Sequence, residues 1–152
     1  MSGRAAAHTR TMRWSFASED RAAARAVRHS FVAFAAAVGD DETALDTTAA
    51  ELVIGELVSN VERHAPGPAT VAVELQPDCI VVTVADAGPG FALAARPQED
   101  VFAESGRGLF LVDSCSRELT VERPPRGGCE VRAVIALDPP GGALTYAAAV
   151  TP

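Results

Sequence analysis

The chain is 152 residues long and carries 20 acidic against 13 basic side chains, a formal net charge of -7. That length suits one domain burying its own core without staples. The negative charge disfavours non-specific attraction to nucleic-acid phosphates or anionic membranes and makes a basic protein partner the more natural companion. Every basic cation is arginine, and without a lysine a Walker-type P-loop is excluded. Cys79, Cys115 and Cys129 form no C-x-x-C pair and leave an odd thiol in any disulfide scheme, which points to a reducing, cytoplasmic compartment. The opening MSGRAAAHTRTMR lacks an apolar core of signal-peptide length, and no stretch approaches the roughly 20 apolar residues of a membrane span.

Residues 1–10 are small, polar and aperiodic, and residues 138–152 are rich in turn formers and alanine, so both read as loose tails around a domain over residues 11–137. From Thr11, Met12, Trp14 and Phe16 alternate with Arg13 and Ser15, the period of a half-buried strand whose apolar face meets a sheet or a partner chain. Ser18-Glu19-Asp20 starts a helix carrying Val27, Phe31, Phe34 and Val38 at helical spacing, closed by Gly39. Asp40 and Asp41 are expected to open a second helix that ends by Pro66.

On a wheel set at Leu45, this second helix groups Ala49, Leu52 and Val53 with Glu56, Asn60 and His64, while Ile54 and Val58 fall opposite. A carboxylate and an amide on an inner face must be paired, solvated in a cleft or bound to a ligand, because burying them unpaired costs several kcal/mol. By the wheel alone, a solvated stripe remains an equal reading. His64, near the helix end, reads as a capping group.

Thr70–Leu75 and Cys79–Ala85 form a hairpin about Gln76-Pro77-Asp78, and the second strand runs into the tight turn Asp86-Ala87-Gly88-Pro89-Gly90. Residues 91–105 join two glycine clusters without periodicity, the length of a functional lid, on which Glu99 and Asp100 read as solvated. Gly106-Arg107-Gly108 is expected to begin a short helix, Leu109 to Cys115, capped by Ser105. Strands at Glu118–Glu122 and Cys129–Leu137 close the chain around RPPRGG. The implied fold is α+β, a two-layer sandwich of a mixed, largely antiparallel sheet with helices on one face. Cys79, Cys115 and Cys129 then read as small core residues.

Three polar elements suggest chemistry together that none carries alone. Glycines at a helix start let backbone N–H groups approach phosphate. The amide of Asn60 suits Mg²⁺, which takes phosphates and waters as its other ligands. Asp86 can accept from an exocyclic amine, and Glu56, one turn from Asn60, can orient or deprotonate a hydroxyl.

Glu56-Leu57-Val58-Ser59-Asn60 with His64 resembles the N box of the GHKL superfamily, the ATP-binding fold shared by gyrase, heat-shock chaperones and histidine kinases. Asp86-Ala87-Gly88-Pro89-Gly90 resembles its first glycine box, Gly106-Arg107-Gly108-Leu109 its second, and Gly127-Gly128 its final glycine element. The short lid and the strand-then-helix opening look most like anti-sigma factor serine/threonine kinases, since no dimerisation helix pair with a phosphorylatable histidine precedes Thr11. The resemblance implies a homodimer that uses ATP and Mg²⁺, binds a sigma factor and phosphorylates an antagonist protein. It makes Glu56 the catalytic base, gives Mg²⁺ to Asn60 and adenine to Asp86, and shapes the pocket with Gly88, Gly90, Gly106, Arg107, Gly108, Leu109 and Cys129. Trp14 and Phe16 are the candidate dimer contacts.

Two positions depart from that pattern. Glu104 and Ser105 stand where kinases of this type often carry a lid arginine, leaving Arg107 or Arg96 as substitutes, and Cys129 stands where a threonine commonly follows the last glycine. ATP binding is therefore implied more firmly than phosphoryl transfer. A non-catalytic nucleotide-binding module that sequesters a partner, and a stand-alone histidine-kinase-like ATPase, stay open as alternatives.

Overall fold

The computed structural model describes residues 9–38, 47–89 and 104–137. In chain order they form β1 (Arg10–Ala17), α1 (Arg21–Val38), α2 (Thr48–His64), β2 (Pro68–Leu75), β3 (Cys79–Asp86), α3 (Glu104–Cys115), β4 (Glu118–Glu122) and β5 (Cys129–Ala136). The five strands lie in the order β1-β2-β3-β5-β4. Every described neighbour is antiparallel, so the α+β sandwich is as expected and no parallel pairing mixes into it.

The period-2 patterning puts one set of side chains under the helices. Val71 and Val73 of β2, Ile80, Val82 and Val84 of β3, and Val131, Ala133 and Ile135 of β5 share one core with Val27 and Phe31 of α1 and the buried stripe of α2. The central strand β3 is buried on both sides, because Cys79 and Val81 make a second, smaller cluster with Val134 on the other face. Phe16, 6% exposed, belongs to the main core. It is therefore unavailable as a dimer contact; Trp14, half-buried on the same strand face, keeps an exposed portion.

A hydrogen-bonded joint ties the start of α1 to the end of α2. The Ser18 backbone N–H donates to the Gly67 carbonyl at 2.9 Å, and the Gly67 N–H donates to Ser18 Oγ at 3.0 Å. Ser18 serves this joint, while Asp20 accepts from the Ala23 N–H at 3.0 Å and caps α1.

Three sequence expectations need correction. α2 begins at Thr48, not Asp40–Asp41: Thr47 is its cap residue and its carbonyl accepts from the Glu51 N–H at 2.9 Å. The buried face of α2 is Ala50, Val53, Ile54, Leu57, Val58 and Val61, whereas Leu52 is 39% exposed. Centring the wheel on the leucines rotated the inner face, so Glu56 and Asn60 flank the apolar stripe instead of replacing it. α3 begins at Glu104, one turn earlier than expected, which places Ser105 and the second glycine box inside the helix. Residues 91–103 of the proposed lid, Gly90, the helix stop at Gly39, Asp40–Asp41, residues 1–8 and residues 138–152 lie outside the described residues, while the last two lid positions, Glu104 and Ser105, belong to α3.

Candidate nucleotide-binding site

Inserting β5 between β3 and β4 brings the end of one strand beside the start of another: Asp86 is in register with Cys129, and Val84 with Val131. Because side chains two apart share a strand face, Val84 and Asp86 point the same way, toward the last turns of α2. There they line a cavity of about 400 Å³ with Leu57, Asn60, Val61, His64 and Ala65 of the α2 end, Gly88 and Pro89 of the following turn, Leu109 of α3 and Val131 of β5. The walls are mostly apolar with a few polar groups, the make-up of a small-molecule site.

Asp86 has two tasks. Its Oδ1 accepts from the Gly88 N–H at 2.7 Å, which shapes the turn. Asp86 also lines the cavity, where a carboxylate oxygen can accept from a ligand amine. The turn itself is pressed against the α2 end: a Cβ on Gly88 would come 2.8 Å from Ala65 Cβ, so only glycine allows this approach. Gly128 behaves similarly on the far side, with φ of +87° and a virtual Cβ 2.2 Å from the Asp86 carbonyl oxygen.

α3 closes onto α2 through Gly108. A Cβ there would lie 2.6 Å from Glu56 Oε2 and 3.8 Å from Asn60 Oδ1. Gly108 thus marks the point where the backbone of α3 reaches the two polar residues of α2. Glu56 itself is half-buried beside this contact and is not among the cavity-lining residues.

Of the residues singled out by sequence, Asn60, Asp86, Gly88 and Leu109 line the cavity, and Gly108 sits at its α2 wall. Gly106 and Arg107 lie in the first turn of α3, and Gly90 is outside the described residues. Cys129, 1% exposed, supports the floor beside Asp86 instead of lining the cavity. His64, read from the sequence as part of the N box and as a capping group, lines the cavity, and the described C-terminal hydrogen bond of α2 is the Ala65 N–H to Val61 carbonyl. Its signal was the i, i+4 spacing from Asn60. Leu57, Val61, Val84 and Val131 had no signal, because cavity walls and core read alike in sequence.

The described residues hold no group of three His, Cys, Asp or Glu side chains that could bind a metal. A divalent cation at this site would be held by the Asn60 amide together with ligand phosphates and water, which is the way Mg²⁺ is commonly bound.

The Histidine kinase-like ATPase domain model matches residues 16–135, spanning α1 to β5 and every element around the cavity. The chain belongs to this ATPase family. Among curated relatives, an Anti-sigma F factor of Bacillus velezensis is 22% identical over 127 residues, covering 80% of this chain and 87% of the relative. An Anti-sigma F factor of Lysinibacillus sphaericus is 28% identical over 120 residues, covering 75% and 82%. That of Bacillus subtilis is 21% identical over 127 residues, covering 80% and 87%. This histidine kinase-like ATPase domain is thus similar to those regulators along nearly their whole length. No helix among its described residues is long and apolar enough to cross a membrane.

Proposed function

We propose that this ATPase-family domain is a cytoplasmic regulatory serine/threonine kinase of the anti-sigma factor type. In this reading it binds a sigma factor and uses ATP and Mg²⁺ to phosphorylate an antagonist protein. The observation that carries the reading is the convergence of Asn60, Asp86 and Leu109, from three separate elements, on one cavity of about 400 Å³. Similarity to Anti-sigma F factors supports the regulatory role.

Asp86 accepts the adenine amine, while Val84 and Val131 cover the ring. The first turn of α3 would offer backbone N–H groups to the phosphates, and Asn60 would hold the cation that neutralises them. ATP supplies the transferable phosphoryl group. Glu56, beside Gly108, takes the proton of the antagonist hydroxyl as that oxygen attacks the γ-phosphorus, whose bond to the β-phosphate oxygen breaks to release ADP. A homodimer is part of this proposal, with the exposed portion of Trp14 on the edge strand β1 as its contact.

The test is transfer of labelled phosphate from ATP to a cognate antagonist, giving phosphoserine or phosphothreonine. Glu56→Gln should lower transfer by about 10²- to 10⁴-fold while nucleotide binding persists; undiminished transfer would remove Glu56 from catalysis. Glu104, in the place of the lid arginine of such kinases, favours a second reading, a non-catalytic nucleotide-binding module that holds a partner. That reading gains if partner binding is intact and no phosphoprotein forms. An acid-labile phosphoprotein would instead point to a histidine-directed ATPase.

A further inference from the structure

The side of α2 away from the cavity is gripped by one arginine. Arg28 of α1 donates from Nη2 to Ser59 Oγ at 2.9 Å and to the Gly55 carbonyl at 3.3 Å, and the same nitrogen lies 3.9 Å from Glu62 Oε2. Its Nε is buried with no hydrogen-bond partner. With the side chain 37% exposed, the ion pair to Glu62 adds little stability and the orphaned Nε takes some away, which leaves only a weak stability reason for an arginine here.

The two acceptors give a better one. Gly55 and Ser59 sit on successive turns, and each immediately precedes a residue of the site, Glu56 and Asn60. At Gly55 the space a Cβ would occupy is open, with nothing within 4 Å, so side-chain packing does not fix the helix there. The apolar stripe of α2 holds it against the sheet, but Glu56 and Asn60 flank that stripe, where a small rotation about the helix axis shifts them sideways.

We infer that Arg28 is a positioning residue: by binding Gly55 and Ser59 it fixes the rotation of α2, and with it the aim of Asn60 into the cavity and of Glu56 beside Gly108. This rests on the nucleotide-binding reading above. It predicts that losing the guanidinium harms the cation-dependent part of binding more than the fold or the purine contact.

The test is calorimetric titration with ATP, with and without Mg²⁺, of the wild type, Arg28→Met, Arg28→Lys and Ser59→Ala, alongside their melting temperatures. Arg28→Met should weaken binding of ATP with Mg²⁺ about tenfold, the size of one lost charge-assisted hydrogen bond, while Mg²⁺-free affinity changes less than about twofold and the melting temperature holds. Arg28→Lys should recover part of the loss, and Ser59→Ala should reproduce a smaller one in the same direction. Unchanged binding with Mg²⁺ in Arg28→Met overturns the inference; should that variant not fold, unchanged binding in Ser59→Ala does so. A parallel fall in both affinities and in melting temperature makes Arg28 purely structural and also overturns it. A folded wild type that binds ATP in neither condition refutes the nucleotide reading, and the inference falls with it.

Discussion

Gly127 and Gly128 have almost the same backbone, φ of +88° and +87°, but different surroundings. A Cβ on Gly127 meets nothing within 4 Å, whereas one on Gly128 would lie 2.2 Å from the Asp86 carbonyl oxygen, which is backbone and cannot swing aside. Gly127→Ala should therefore cost about 1 to 2 kcal/mol, the strain of a left-handed alanine. Gly128→Ala should cost more than about 3 kcal/mol, because strand pairing at the cavity floor must also yield; urea midpoints of the two variants provide the comparison. Cysteine ionisation gives a second prediction at this scale. Burial pushes the Cys79 thiol above its ordinary value of 9.0, helped by neighbouring Asp78, and burial does the same to Cys115. The folded state thus holds these protons more tightly than the unfolded chain. Their contribution is intact below pH 9 and is lost as pH rises through the raised values, so the melting temperature should fall as pH rises above about 9. The Cys79→Ala, Cys115→Ala double variant should show a smaller fall.

Among the elements, α2 and α3 decide the site, and their contact predicts a separation of stability from function. Gly108→Ala places a methyl 2.6 Å from Glu56 Oε2, the far end of a flexible side chain that can move. Alanine is favoured over glycine inside a helix by about 1 kcal/mol, so the fold should survive with little change in melting temperature. Phosphoryl transfer should nevertheless drop by about tenfold or more, because the displaced carboxylate is the proposed base; single-turnover transfer and a thermal melt of one sample check both halves. How much of these elements could be read beforehand follows the same physics. β2, β3 and β5 were legible because alternation and β-branched residues mark half-buried strands. The polar residues of α2 were found, but its inner face was misplaced: an exposed Leu52 carries the same hydropathy as a buried one, and periodicity cannot tell them apart. The start of α3 differs because glycines such as Gly106 and Gly108 read as a helix boundary in sequence, whereas the helix runs from Glu104 through both and packs Gly108 against α2.

At the level of the whole molecule, the strand order does what no local pattern announces. Placing β5 beside β3 sets Asp86 opposite Cys129 and Val84 opposite Val131, so a carboxylate found by its glycine turn acquires apolar walls from residues distant in sequence. Motifs at Asn60 with His64, at Asp86 and at Gly108 marked the corners of the cavity, while Leu57 and Val131 needed the assembled fold to be recognised. The central claim is that these corners bind ATP, and calorimetry of wild type and Asp86→Asn with ATP and Mg²⁺ tests it most directly. Asparagine keeps an oxygen for the Gly88 N–H, so the turn should persist, but it can present a donor to the adenine amine in place of an acceptor. The expected result is saturable binding by the wild type and at least about tenfold weaker binding by a variant that melts at the same temperature. Equal affinity in the two proteins, or no binding by folded, nucleotide-free wild type, would contradict it.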